Sequence, residues 1–146
     1  MTKTNPPKHI VLYADDDPDD LLLVQEAFLQ YSANVEMITA ENGIEALAYL
    51  RSLDAFDPAP CLIILDINMP RLDGKETLKT IRNMDRFKDI PVVLFTTSSS
   101  YADRFFAEKY KAGFITKPIE ARQMALIADQ LVDHCSDQIR MNIKRN

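Results

Sequence analysis

Short runs of consecutive apolar residues alternate along this chain with longer stretches in which apolar positions recur every three or four residues. The runs are Ile10–Ala14, Val35–Thr39, Leu62–Leu65, Val92–Phe95 and Phe114–Thr116. Runs of this kind have the pattern of buried parallel strands, and the periodic stretches between them that of helices packed on a sheet. The first helix opens with Asp17 as N-cap and Pro18 at the first helical position, and Asp19 and Asp20 sit in its first turn, where the helix dipole favours negative charge. Its Leu21, Val24, Phe28 and Tyr31 are expected to face the sheet. Asn42-Gly43 is a turn signal before a second helix with Ile44, Leu47, Ala48, Tyr49 and Leu50 on the buried side.

Asp54–Pro60, with Pro58 and Pro60, reads as a loop before the third strand. The loop Met69–Gly74 leads into a third helix with Leu78 and Ile81 inward. A fourth helix follows the hydroxyl run Thr96–Ser100 and is expected to end at Gly113 as a left-handed cap. The fifth carries Met124, Ile127, Ala128, Leu131 and Cys135 on one stripe. Residues 137–146, with Arg140, Lys144 and Arg145, read as a frayed C-terminal tail. Five strand–helix units in strict alternation predict an α/β fold, a parallel sheet covered on both faces.

A length of 146 residues suits one domain, expected over residues 9–136. Hydrophobic residues make up 47% and charged residues 27%, which argues against disorder. A net charge of −5 argues against nucleic acid as a partner. No apolar run approaches the length of a membrane span. Residues 1–8 are polar, contain Pro6-Pro7 and lack a signal-peptide core, so a flexible N-terminal segment is expected. Cys61 and Cys135 have no metal-ligand spacing and read as small buried apolar groups. His9 and His134 read as surface or helix-end residues. A reducing cytoplasm fits this cysteine usage.

The chemistry lies where the strand runs stop. The first run meets Asp15-Asp16-Asp17, the third meets Asp66, and the fifth meets Lys117-Pro118. Right-handed crossovers in a parallel sheet bring every strand C-terminus to one edge, so carboxylates and a lysine distant in sequence converge there. Taken alone, Asp15–Asp17 could be an acidic helix start, Lys117 a surface lysine, and Thr96 a helix cap beside Thr97 and Ser98. Asp66 weighs against these plain readings, because ending a buried aliphatic run in a carboxylate is costly unless a cation stands beside it.

From about Lys8 to Cys135 the chain resembles the response-regulator receiver domains of two-component phosphorelays. The resemblance rests on the acidic pair after the first strand, on Leu65-Asp66-Ile67-Asn68-Met69-Pro70 followed by Asp73-Gly74, on Thr96 and on Lys117-Pro118, all in order. The wording around Asp66 and the loop before the third strand look most like the single-domain regulators that partner bacterial phytochromes. The resemblance implies a doubly wound, flavodoxin-like, five-stranded sheet of order 2-1-3-4-5, with its site at the crevice between strands 1 and 3.

It further implies that Asp66 accepts a phosphoryl group from the phosphohistidine of a sensor histidine kinase, or from a phosphotransfer protein. Carboxylates about 4 Å apart repel by about 1 kcal/mol in water and about 4 kcal/mol at an effective dielectric near 20. Asp15, Asp16 and Asp66 therefore call for a hard divalent cation, Mg²⁺ above all, with the main-chain carbonyl of Asn68 as a further ligand by resemblance. Lys117 and Thr96 would bind phosphoryl oxygens, and Thr96 with Phe114 would act as the switch.

Output is expected through the face of helix 4, strand 5 and helix 5, by contact with a protein or with a second copy, because the chain ends soon after helix 5. Two departures stand out. Phe114 replaces the family's frequent tyrosine, which removes a hydroxyl. Thr97 is bulkier than the residue often found after Thr96, which implies slower access to the phosphoryl group. A metal-dependent phosphohydrolase would need a general acid two residues after its nucleophile, where this chain has Asn68. A receiver-fold module without phosphorylation would typically lack one of the acids or the lysine.

Overall fold

A computed structural model of the chain describes residues 8–146; the expected flexible segment, 1–8, lies outside the described residues but for Lys8, which is exposed. Five parallel strands form one sheet in the order β2-β1-β3-β4-β5. They are β1 (His9–Ala14), β2 (Val35–Ala40), β3 (Leu62–Leu65), β4 (Val92–Thr96) and β5 (Gly113–Thr116). The helices are α1 (Pro18–Phe28), α2 (Gly43–Ser52), α3 (Gly74–Arg82), α4 (Tyr101–Lys109), α5 (Ala121–Met124), α6 (Ile127–Val132) and α7 (Asp137–Asn142). No helix among the described residues is long and apolar enough to cross a membrane.

Strand alternation divides the core in two. Val11, Tyr13, Leu62, Ile64, Val93 and Phe95 point to the side covered by α1 and by the chain from α5 to α7. Leu12, Ala14, Ile63, Leu65, Val92 and Leu94 point to the side covered by α2, α3 and α4. Both faces of the central strands are thus removed from water, which is why β1, β3 and β4 read as unbroken apolar runs.

Local chemistry fixes the helix starts. Asp17 caps α1 by accepting from the N–H groups of Asp19 and Asp20, with Pro18 at the first helical position. Asn42, Asp73 and Ser100 cap α2, α3 and α4 in the same way.

Three expectations are corrected. In α2 the buried stripe is Gly43, Ala46, Leu47 and Leu50, while Ile44 and Ala48 face outward. The phase is set by Gly43, where an added Cβ would lie 2.1 Å from Thr77 Oγ1 of α3. Second, α4 closes on Lys111 (φ 55°) rather than on Gly113. The Ala112 N–H donates to the Ala107 carbonyl at 2.8 Å and that of Lys111 to Glu108 at 3.1 Å, the paired bonds of a Schellman ending. Gly113 instead begins β5, where the His134 ring occupies the space of its missing Cβ, 2.5 Å away.

Third, residues 137–146 are not frayed. Ser136 caps α7, Ile143 is buried in the α1-side core, and Asn146 bonds to Leu29, Gln30, Ser32 and Ala33. The stripe expected on the fifth helix is buried as read, but its helix is divided into α5 and α6. Because Ile143 fills a core position, Ile143→Ala should lower unfolding stability by about 2–3 kcal/mol in a urea titration. A change below about 0.5 kcal/mol would show that the segment contributes no packing.

Candidate functional site

Sheet register carries the site. Ala14 is level with Leu65 and Ala40, and each strand's ladder runs one bond further: Asp15 N–H to the Ala40 carbonyl (3.0 Å), Asp66 N–H to Ala14 (3.0 Å) and Lys117 N–H to Thr96 (2.7 Å). The backbone at Asp15, Asp66 and Lys117 is therefore as fixed as the sheet itself. By alternation all three side chains fall on the α1 side, the side of Tyr13 and Phe95.

Lys117 is the hub. Its Nζ lies 2.7 Å from Asp15 Oδ2, 2.8 Å from Asp20 Oδ2 and 3.2 Å from Asp66 Oδ2. The lysine starts on β5 and reaches β3 across the end of β4, passing 5.8 Å from the Phe95 ring centroid. Asp15 is fully buried and also accepts from the Tyr13 hydroxyl and, at 3.0 Å, from the Asp17 N–H. Asp16 is exposed, and its carboxylate lies with those of Asp15 and Asp66 in one cluster, oxygen atoms within 4.8 Å of one another.

This group is short of positive charge, since three carboxylates contact one ammonium and a fourth, that of Asp16, lies beside two of them. Burial raises the Asp66 pKa, the Lys117 charge lowers it, and Asp15 raises it again, so the acid is pushed up to about 6. Burial alone would lower the Lys117 pKa, but its bonds to Asp15 and Asp20 more than reverse that, and it stays protonated. Three oxygen donors with a charge deficit match a hard divalent cation.

The turn after Asp66 is held from below by α3. Gly74 N–H donates to the Ile67 carbonyl at 2.9 Å, and a Cβ on Gly74 would stand 2.1 Å from the Asp66 carbonyl oxygen. Asn68 is exposed in that turn, and Arg71 (φ 68°) reverses the chain before Asp73 caps α3.

Thr96 ends β4 at the same edge, fully buried, but one position out of phase with Phe95 and so toward the α4 side. Its Oγ1 accepts from the Ser98 N–H at 3.2 Å. The Ser98 hydroxyl donates to Asp103 of α4, which pairs with Lys75 of α3. Phe114 lies half-buried on the α4 side under the Arg104 guanidinium, 4.9 Å from its ring centroid.

The sequence reading thus named Asp15, Asp16, Asp66 and Lys117, and they meet. Thr96 and Phe114 lie nearby with other partners. Asp20 was read only as a helix-dipole residue, yet it is a direct partner of Lys117. A signal was available: Asp20 precedes the buried Val24 and Phe28 at helical spacing, on the inward stripe of α1. Tyr13 and the Ser98–Asp103–Lys75 chain were also not singled out.

Residues 11–129 match the family model of the response regulator receiver domain. Response regulator Rcp1 of a Synechocystis species is 38% identical over 103 residues, 69% of each chain. The structure of a phosphorylated cyanobacterial phytochrome response regulator, RcpA, superposes with a TM-score of 0.81 at 31% identity, covering 90% of this chain and 96% of that one. The Mn²⁺-bound form of Rcp1 gives 0.75 at 31% identity, covering 85% and 91%. The strand order is that of the receiver fold, and the chain belongs to the response regulator receiver domain family, the phosphoacceptors of two-component signalling.

Proposed function

We propose that Asp66 accepts a phosphoryl group from the phosphohistidine of a sensor histidine kinase. The observation that carries this reading is the Asp66 carboxylate, buried at the end of β3 with Lys117 Nζ 3.2 Å away and two further carboxylates beside it. An Asp66 oxygen attacks phosphorus, and the P–N bond to the kinase histidine breaks as the new P–O bond forms. Lys117 holds Asp66 in place and offers its ammonium to a phosphoryl oxygen; the Thr96 hydroxyl, which accepts from the Ser98 N–H and keeps its own hydrogen to give, offers a second donor. Mg²⁺, held by Asp16 and Asp66 with Asp15 beside them and the Asn68 main-chain carbonyl as a further ligand, would supply charge neutralisation on the phosphoryl oxygens. Slow loss of the phosphoryl group to water, assisted by the same residues, belongs to this reading. Asn68 in place of a general acid tells against a phosphohydrolase.

The similarity to phytochrome regulators makes a phytochrome-type kinase of the cytoplasm the favoured donor. Output leaves through the face of α4, β5 and the α5–α6 helix, where Tyr101, Phe105 and Ile119 stand exposed. A second copy of the chain is the partner proposed for that face.

Treatment with acetyl phosphate and Mg²⁺ should add one base-labile phosphoryl group by intact mass. Asp66→Asn should abolish it, and equal labelling of that variant would overturn the assignment. Lys117→Ala should keep metal binding yet lose most of the response to phosphorylation.

The charge deficit gives a second test. An acid whose pKa is raised on folding favours the folded state below its ordinary value near 3.8, and that contribution is lost as pH rises through about 6. Metal-free Asp66→Asn should therefore be about 1–3 kcal/mol more stable than wild type above pH 7, with the gain vanishing near pH 4. Millimolar Mg²⁺ should stabilise wild type and leave Asp16→Asn nearly unchanged. Melting curves parallel at all pH values would contradict the deficit.

For the output face, beryllofluoride-treated and untreated protein should differ in sedimentation and in amide exchange across Tyr101–Leu131. Identical behaviour in both would remove this face from the reading.

A further inference from the structure

Two turns meet at the end of the sheet opposite Asp66: the one that leads from α3 into β4 and the one that leads from α4 into β5. Between them lies a cavity of about 490 Å³, within the size range of small-molecule sites. Arg82, Lys88, Lys109 and Lys111 line it, against one acid, Asp89. None of the four cations is in an ion pair among the described residues. A chain whose net charge is −5 thus gathers uncompensated positive charge around one hollow.

Arg82 builds the wall. Its Nε donates to the Tyr110 carbonyl at 2.8 Å, its Nη1 to those of Ile90 (2.7 Å) and Lys88 (3.0 Å), and its Nη2 to that of Lys111 (3.2 Å). Four of the five guanidinium N–H groups therefore tie both turns to the end of α3, and one on Nη2 has no acceptor among the described residues. The Lys109 ammonium stands 5.6 Å from the ring centroid of Tyr110, the aromatic part of the lining. Lys111 is held in the left-handed region, φ 55°, where glycine would be the less strained residue. Helix dipoles account for cations in the last turns of α3 and α4, where Arg82 and Lys109 stand. They do not account for Lys88, which lies past the end of α3, or for a lysine at a position that favours glycine.

We propose that this cavity binds an oligophosphate, either a free inorganic chain or the phosphate chain of a nucleotide. Charged oxygens spaced along such a chain meet several ammonium groups at once, which an anion with a single charged centre does not. The backbone that carries Lys88 and Lys111 is already fixed by Arg82, so binding costs little ordering of the turns. Asp15, Asp16 and Asp66 lie at the far end of the sheet and would repel the same ligand.

The test is calorimetric titration of the whole chain, metal-free, with sodium triphosphate, with ATP and with sulfate, while amide shifts locate the site. Triphosphate should bind one to one, with shifts concentrated at residues 88–90 and 109–111 and an affinity that falls as salt rises. Sulfate should bind at least about tenfold more weakly. Lys88→Gln should weaken triphosphate binding about tenfold and leave the thermal midpoint unchanged. Lys111→Gly should weaken it likewise yet raise the midpoint, because glycine relieves the left-handed backbone. Lys79→Gln, on α3 but paired with Glu76 outside the cavity, should bind as wild type does. ATP binding more tightly than triphosphate would assign a nucleotide, and equal or weaker ATP binding an inorganic chain. No saturable heat with either, shifts centred elsewhere, sulfate binding as tightly, or equal losses in Lys79→Gln and Lys88→Gln would each overturn the proposal.

Discussion

Everything at the working edge of this sheet depends on one buried ammonium. Lys117 satisfies Asp15, Asp20 and Asp66 at once, from a strand that is not adjacent to either acidic strand. A buried carboxylate without a partner costs several kcal/mol, so the folded edge is tolerable only because the lysine spans β4 to reach β3 and β1. That reach requires a flat, apolar floor, which Phe95 provides, with Tyr13 edge-on to it at 6.3 Å between ring centroids. The aromatic pair and the polar hub form one unit, since the Tyr13 hydroxyl is itself bonded to Asp15.

Strand alternation then separates the two halves of the site. Asp15, Asp66 and Lys117 share the α1 side, whereas Thr96, one residue beyond Phe95, belongs to the side of α3 and α4. Its hydroxyl is tied through Ser98 and Asp103 to Lys75, which directly follows the glycine seated on the Asp66 backbone. The start of α3 is therefore tied to the loop after β4 through charged and hydroxyl groups, above the apolar packing of Ile67 and Met69. Such contacts can exchange partners without opening the core.

The strands and the charged strand ends were legible in the sequence because parallel topology demands apolar runs and delivers their ends to one edge. That ground brought Asp15–Asp17, Asp66 and Lys117 together, and the family resemblance singled out Asp15, Asp16, Asp66 and Lys117 among them. What escaped detection was set by tertiary contact. The phase of α2 depends on how closely Gly43 approaches Thr77, which no periodicity of Ile44 or Ala48 reveals. The left-handed ending of α4 falls on Lys111, because the chain must turn there to bring Gly113 beneath His134. The last residues look polar, yet Ile143 and Asn146 find partners on α1 and the turn after it. Asp20 was within reach, since its spacing to Val24 places it inward, but the helix-dipole explanation already accounted for an acid at that position.

The valence of the lysine sets the order in which the site can rearrange. An ammonium has three N–H donors, and here Asp15, Asp20 and Asp66 take one each. An oxyanion arriving at Asp66 must draw on a donor already in use. Asp15 cannot yield it, because its side chain has no exposed surface and would be left charged in the core. Asp20 can, because about a fifth of its side chain already faces water, 21%, and hydration can replace the lost bond. The backbone at Asp20 stays anchored meanwhile, because its N–H is capped by the Asp17 side chain. The acid that sequence reasoning passed over is thus the partner of Lys117 most open to water, with 21% of its side chain exposed against 10% for Asp66 and none for Asp15.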